Sequence, residues 1–253
     1  MAGGFRRRVQ ETLPEQYAEA TRLHLLLDDF PVATLVSGVA FGEVPMGGEG
    51  PVRLPQTDLC SGWRSDGTVM LQINRDRIVP AVTGPDAPDL TPARSTPPDE
   101  PPGPELAPAR PGPATSDDLG WHERDALSPL ALRRARRLDV WEADGVLQVD
   151  SLYRDSHVDV DGRETVIHEY TLRGSVDPHD FRIVDVVATP RVLPWVECPS
   201  AAASAQRLTG QNVRDLRPVV RREFTGISTC THLNDQMRQL ADVPALVWFS
   251  AVR

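Results

Sequence analysis

Apolar positions in this 253-residue chain change their period along its length. From Phe5 to Leu27 the pattern is helical. Leu23, Leu26, Leu27 and Phe30 recur at three- and four-residue spacing, and Pro14 suits the first turn of a second helix. Ala33 to Phe41 reads as a strand, followed by the Gly-rich loop Gly47-Gly48-Glu49-Gly50 and a further short strand over Thr68 to Ile73. Past residue 120 the period becomes two. Arg137 to Ala143 and Val146 to His157 flank Asp144-Gly145, the dipeptide of a tight type I′ hairpin. Thr165 to Arg173 follows a second such signal, Asp161-Gly162, and Phe181 to Ala188 is apolar and β-branched. Helical spacing then returns in Pro199 to Leu208, closed by Gly210, in Val213 to Phe224, closed by Gly226, and in Thr229 to Leu240. In the last of these Leu233, Met237 and Leu240 make one stripe. The expected fold class is α+β, an antiparallel β-meander followed by C-terminal helices packed on one face.

Between these patterns lies a segment with neither. Gly84 to Ala114 holds eleven of the chain's 24 prolines and almost no large apolar residue, so it cannot bury a core. The organisation expected is an N-terminal α/β segment over 1–80, a proline-rich disordered or polyproline-II linker over 81–119, and an α+β domain over 120–253.

The hairpin turns also predict which side chains share a face. A two-residue turn at Asp144-Gly145 puts Leu138, Val140, Leu147 and Val149 on one side, which must be the core side. The same parity carries Tyr153, Asp155, His157 and Asp159 to that side. Across the second turn Asp155 then faces His168, Asp159 faces Glu164 and Tyr153 faces Tyr170. Burying so many titratable groups in an ordinary core is costly, whereas a cleft lined for chemistry would account for them. A bulge in the long strand would instead reverse the parity and turn them to solvent.

The cysteines extend the candidate list. Cys198 precedes Pro199 at a helix start, where the dipole favours a thiolate and hence a low-pKa nucleophile or a metal ligand; the alternative is a small buried filler. Cys230 and His232 begin the last helix, and would bind zinc or iron if they met His157 or His168 in space. The candidate catalytic residues are therefore Asp155, His157, His168 and Cys198. Arg154 and Tyr170 are candidates for holding substrate, and His157, His168, Cys230 and His232 for holding a metal.

Composition narrows the chemistry. All 27 basic side chains are arginine and the chain has no lysine, which removes Schiff-base and P-loop lysine chemistry but not anion binding by guanidinium forks. A net charge of -9 disfavours nucleic acid as a partner. No apolar run approaches the length of a membrane span, and no secretory h-region follows Met1 to Arg8. Three cysteines, far apart in sequence, suit a reducing cytoplasm better than a disulfide framework.

Several of these segments also resemble a known family. Arg154-Asp155-Ser156-His157-Val158-Asp159, Asp161-Gly162-Arg163-Glu164 and His168-Glu169-Tyr170 are similar to the DUF2889 family of bacterial proteins. So are Leu193-Pro194-Trp195-Val196-Glu197-Cys198-Pro199 and Thr229-Cys230-Thr231-His232-Leu233-Asn234-Asp235. The resemblance runs from about Arg136 to Val247, and the arginine-only, proline-rich form resembles an actinobacterial member. It implies that residues 1–80 are an incomplete N-terminal part, and it supplies no activity, because the family has none established. The expectation from the residues is a cytoplasmic small-molecule enzyme with a His/Asp/Cys site, metal-dependent if zinc or iron binds. The rival expectation is a non-catalytic protein-binding or structural module whose polar residues form a buried network.

Overall fold

A computed structural model describes residues 2–19, 21–38, 42–82, 84–87 and 126–251. Its centre is a four-stranded antiparallel sheet in the order β3-β4-β5-β6, with β3 at Leu132–Ala143, β4 at Val146–Val158, β5 at Glu164–Val176 and β6 at Ile183–Val192. The first turn is tight because Asp144 and Gly145 both adopt positive φ, 54° and 77°, as a type I′ turn requires. The β3/β4 ladder runs without a slip from Ala143↔Val146 to Leu132↔His157. In the β4/β5 ladder Tyr153 pairs with Tyr170 and Asp155 with His168, as the turn arithmetic predicts. A bulge then intervenes, and Ser156 pairs with Val166, leaving Ile167 as the extra residue. The bulge corrects one expectation. Glu164 faces Val158, not Asp159, while Asp159 closes the turn by accepting from the backbone N–H groups of Asp161 and Arg163.

One face of the sheet carries the core. Leu147, Val149, Tyr170, Leu172 and Ile183 pack there against Ala205, Leu216, Val220, Leu233 and Met237 from the C-terminal helices. The run Cys198–Leu208 is a 3₁₀ helix, and a short 3₁₀ turn at Val213–Asp215 leads into α5 (Leu216–Glu223), then α6 (Thr231–Gln239) and α7 (Val243–Ala251). The Leu233, Met237, Leu240 stripe is fully buried in that core. Gln236 ties α6 to the sheet centre, its amide donating to the Ser151 carbonyl at 2.9 Å. The architecture is α+β, with an antiparallel sheet and helices after it. Among the described residues no helix is long and apolar enough to cross a membrane.

The N-terminal part departs from two sequence expectations. It forms α1 (Ala2–Thr12), α2 (Pro14–Ala18), α3 (Arg22–Val36), the two-residue strands β1 (Val44–Pro45) and β2 (Ile78–Val79), and α4 (Thr68–Asp76). The strand expected from Ala33 is the last part of α3. A continuous apolar run does not distinguish helix from strand, and Val32 and Val36, four apart, are the positions that turn inward. Val39 to Phe41 lie outside the described residues. The strand expected over Thr68–Ile73 is α4, whose first N–H is capped by a residue far away in sequence: Thr68 N donates to Glu197 Oε1 at 2.6 Å. Val69, Met70 and Ile73 are buried on one face of it, and Trp195 packs against the same small core. The start of the expected linker is ordered. Val166 N donates to Pro85 O and Ala87 N to Glu164 O, so residues 84–87 line the edge of β5 beyond the reach of β6. The prolines of 88–125 lie outside the described residues.

A buried chain of ion pairs joins the N-terminal helices to the sheet. Arg6 of α1 donates to the Asp28 carbonyl at 2.7 Å and to Asp235 Oδ1 at 2.9 Å. Arg238 bridges Asp28 and Asp235. Arg134 of β3 reaches Asp235 Oδ2 at 3.4 Å and holds Asp155 by a fork, Nε to Oδ1 at 2.8 Å and Nη2 to Oδ2 at 2.9 Å. Asp235, 4% exposed, faces three arginines from three parts of the chain. Asp235→Ala is therefore expected to cost about 3 kcal/mol or more in urea unfolding, with Asp235→Asn retaining part of the loss. A change below about 1 kcal/mol would mean that the arginines find water or other carboxylates instead.

Candidate functional site

The site begins with one serine. Ser61 N donates to the Thr229 carbonyl at 2.9 Å, and its hydroxyl donates to the Glu197 carbonyl at 2.6 Å. Each partner immediately precedes a cysteine. The three cysteines, so far apart in sequence, are thereby drawn to one place: all are buried and free, and all line one cavity. Gly62 permits this close approach, because a Cβ there would sit 2.4 Å from Cys198 Sγ and 2.9 Å from the Trp195 ring. Trp63 and Trp195 meet edge to face, with centroids 5.5 Å apart.

At the sheet end of the cavity stand His168 and His232. Their rings stack with centroids 3.6 Å apart, His168 projecting from β5 and His232 from the first turn of α6. His232 Nε2 is 3.7 Å from Asp155 Oδ2, and its Nδ1 is 3.8 Å from Cys230 Sγ. Asp155 is fixed from behind by the Arg134 fork and by the Tyr153 hydroxyl, which donates to Oδ2 at 2.7 Å. The Tyr170 hydroxyl faces the Cys230 thiol. Neither His168 Nδ1 nor His232 Nε2 has a hydrogen-bond partner among the described residues. The cavity is about 350 Å³, with walls that include Val36, Leu59, Val82 and Ile167, and none of its described lining residues is arginine, aspartate or glutamate.

Burial sets the protonation of these groups. It pushes His168 down to about 4, a shift that Arg134 reinforces and Asp155 opposes. His232 is held well below its ordinary value by burial, by His168 and by Arg134. Both imidazoles are therefore neutral near pH 7. Burial also raises every thiol, Cys60 to about 11 with Cys230 and Cys198 displaced in the same direction.

The sequence candidates divide accordingly. Asp155, His168, Cys230 and His232 come together, with the Tyr170 hydroxyl facing Cys230 and Cys198 lining the same cavity. His157 does not join them. It lies past the bulge opposite Thr165, outside the group of converging ligand atoms. Arg154 lies on the opposite face of the sheet, paired with Glu169, because it follows Tyr153 by one residue and the strand alternates. Cys198 sits at a helix start, as the sequence predicts, and burial pushes its thiol up where the dipole alone would favour the thiolate. Cys60, Trp63 and Arg134 were not legible as site residues. Only spatial neighbours far away in sequence give them that place.

Two measurements follow from this burial. A histidine that is neutral when folded and ordinary when unfolded stabilises fully above pH 6.5, and that stability is lost as pH falls toward about 4. For His168 the window between 6.5 and about 4 corresponds to something on the order of 3 kcal/mol. Urea unfolding between pH 7.5 and 4.5 is expected to show this slope, and His168→Gln to flatten it. An unchanged slope in the variant would assign the acid sensitivity elsewhere. Thiol labelling of the native protein at pH 8 is expected to be slow at all three cysteines and rapid once the chain is unfolded. Rapid native labelling of Cys198 would restore the nucleophile.

No curated protein and no solved structure matches this chain. Residues 132–246 match the model of a family described as a protein of unknown function, DUF2889. The matched stretch covers the sheet, Asp155, His168, both later cysteines and His232, while Cys60 and Trp63 lie ahead of it. The match spans the C-terminal region, from β3 into α7.

Proposed function

We propose that the protein is a cytoplasmic enzyme acting on a small, uncharged organic molecule bound in the cavity between the N-terminal loops and the sheet. The observation that carries this reading is the way an apolar, tryptophan-edged cavity of about 350 Å³ ends at two neutral imidazoles with unused ring nitrogens. That volume lies at the lower end of the roughly 300–1,000 Å³ of small-molecule sites. The lack of a lining cation among the described residues argues against an anionic substrate. Three unpaired thiols around one cavity fit a reducing compartment. The arginine–aspartate chain favours the second reading, a structural network, but that network leaves both imidazoles and the cavity unaccounted for.

The test uses a flat, uncharged probe. 2-Naphthol is expected to bind one per chain and quench tryptophan fluorescence, and Trp195→Ala to weaken it at least about 10-fold by removing an aromatic wall. The carboxylate analogue 2-naphthoate is expected to bind far more weakly. Equal binding of the two would overturn the uncharged-ligand reading, and no stoichiometric binding of either would remove the cavity as a ligand site. For catalysis, wild-type protein incubated with a cell metabolite extract is expected to deplete a compound that His232→Gln leaves untouched. Depletion by neither protein, with naphthol bound by both, would favour a binding module.

A further inference from the structure

We propose that Asp155, His168 and His232 form a site for one divalent first-row transition-metal ion, open to the cavity. This deepens the reading of the cavity as a reaction site and rests on it only for what the ion would act upon. A carboxylate oxygen of Asp155 and one ring nitrogen from each histidine lie within 4.8 Å of one another. They come from three elements that fix them independently. Asp155 and His168 are direct cross-strand partners on β4 and β5, and His232 is held over them by the first turn of α6. A metal site needs donors preset in this way, since each ligand that must be ordered on binding subtracts from affinity.

The second observation is the pair of unsatisfied nitrogens. His168 and His232 are each 9% exposed, and His168 Nδ1 and His232 Nε2 have no hydrogen-bond partner among the described residues. Buried polar atoms are nearly always paired, so two orphans on stacked rings beside a carboxylate call for a shared partner. A metal ion would accept a lone pair from each ring once the two rings, stacked with centroids 3.6 Å apart, turn to aim them at one point. Asp155 retains capacity for it. A carboxylate has about four acceptor positions; the Arg134 fork takes one on each oxygen and the Tyr153 hydroxyl the second on Oδ2, the oxygen 3.7 Å from His232 Nε2, so an ion would take the free position on Oδ1. These contacts are also the outer support that ligating carboxylates usually have. Arg134 divides its charge between Asp155 and Asp235, so the carboxylate is not fully neutralised.

Two imidazoles and one carboxylate suit zinc, iron(II) or cobalt(II), in contrast to the all-oxygen sites of calcium and magnesium. Three protein ligands leave positions for water and substrate on the cavity side. The set differs from the ligands expected from sequence. His157 is outside it, and Cys230 stands beside His232 Nδ1 rather than beside the converging atoms.

The experiment titrates full-length protein, stripped with chelator, with Co²⁺ followed by its visible d–d absorption, and with Zn²⁺ in competition. One ion per chain is expected. Asp155→Asn, His168→Gln and His232→Gln are each expected to weaken binding at least about 10-fold, while His157→Ala and Cys198→Ser leave it unchanged. Circular dichroism identifies any variant that does not fold, and the wild-type stoichiometry and the remaining variants then decide. Absence of Co²⁺ and Zn²⁺ binding by wild type overturns the proposal. So does binding that survives in all three variants, or an intense sulfur-to-cobalt charge-transfer band removed by Cys230→Ser. The same stripped protein is challenged with 2-naphthol. Naphthol binding without metal binding overturns the metal site alone, and metal binding without naphthol overturns the cavity reading alone.

Discussion

The ionic contact between Arg134 and the two aspartates Asp155 and Asp235 is the constraint around which the molecule is arranged. All three groups are nearly withdrawn from water, and a charge in that position survives only with partners of fixed geometry. Satisfying Asp235 requires Arg6 and Arg238, and satisfying those requires Asp28 on α3. The N-terminal helices are thus held by the charge requirements of the sheet as well as by apolar contact. Asp155 stands at the end of this chain, behind the histidines that line the cavity. Its orientation is set by structural partners, while a face of it remains turned to the histidines.

The cavity is likewise a joint product. The matched family region supplies the floor, with His168, His232, Cys198 and Cys230, but Cys60, Trp63 and the end of α3 close the other side. Ser61 is the fastener between the two, since its backbone and side chain each satisfy a carbonyl next to a cysteine. Glu197 adds a second tie by capping α4. Substrate selection would therefore be divided. The polar end belongs to the region that matches the family model, and much of the apolar wall comes from residues ahead of it.

Much of the sheet was legible because a strand's alternation is a strict rule once a turn is fixed. Asp144-Gly145 determines the β3/β4 register along its whole length, and the expected pairing of Asp155 with His168 is present because the bulge offsets the shifted pairs beside the second turn. The rule failed at the bulge, which inserts Ile167 with no local signal in a run of β-branched residues. It had nothing to say about α4, whose helical start depends on a glutamate distant in sequence. The burial of the Cys198 thiol has no sequence signal for a related reason. A helix start is visible in sequence, but the depth at which it is buried is not. Arg134 carries no sequence signature, because one arginine among several near the start of β3 is distinguished only by the carboxylates opposite it.

The bulge between Asp155 and Ser156 also separates two kinds of inheritance within one hairpin. On its inner side Asp155 is placed by the unbroken β3/β4 ladder, and the β4/β5 pairs from Leu147↔Val176 to Asp155↔His168 hold His168 opposite it. On its outer side the strand ends and the 159–163 turn are offset by one residue, and the offset is absorbed locally. A residue gained or lost in that turn can be taken up by removing or shifting the bulge. The tip of the hairpin is thus free to drift in length and sequence over evolution, while the phase of the site residues stays locked.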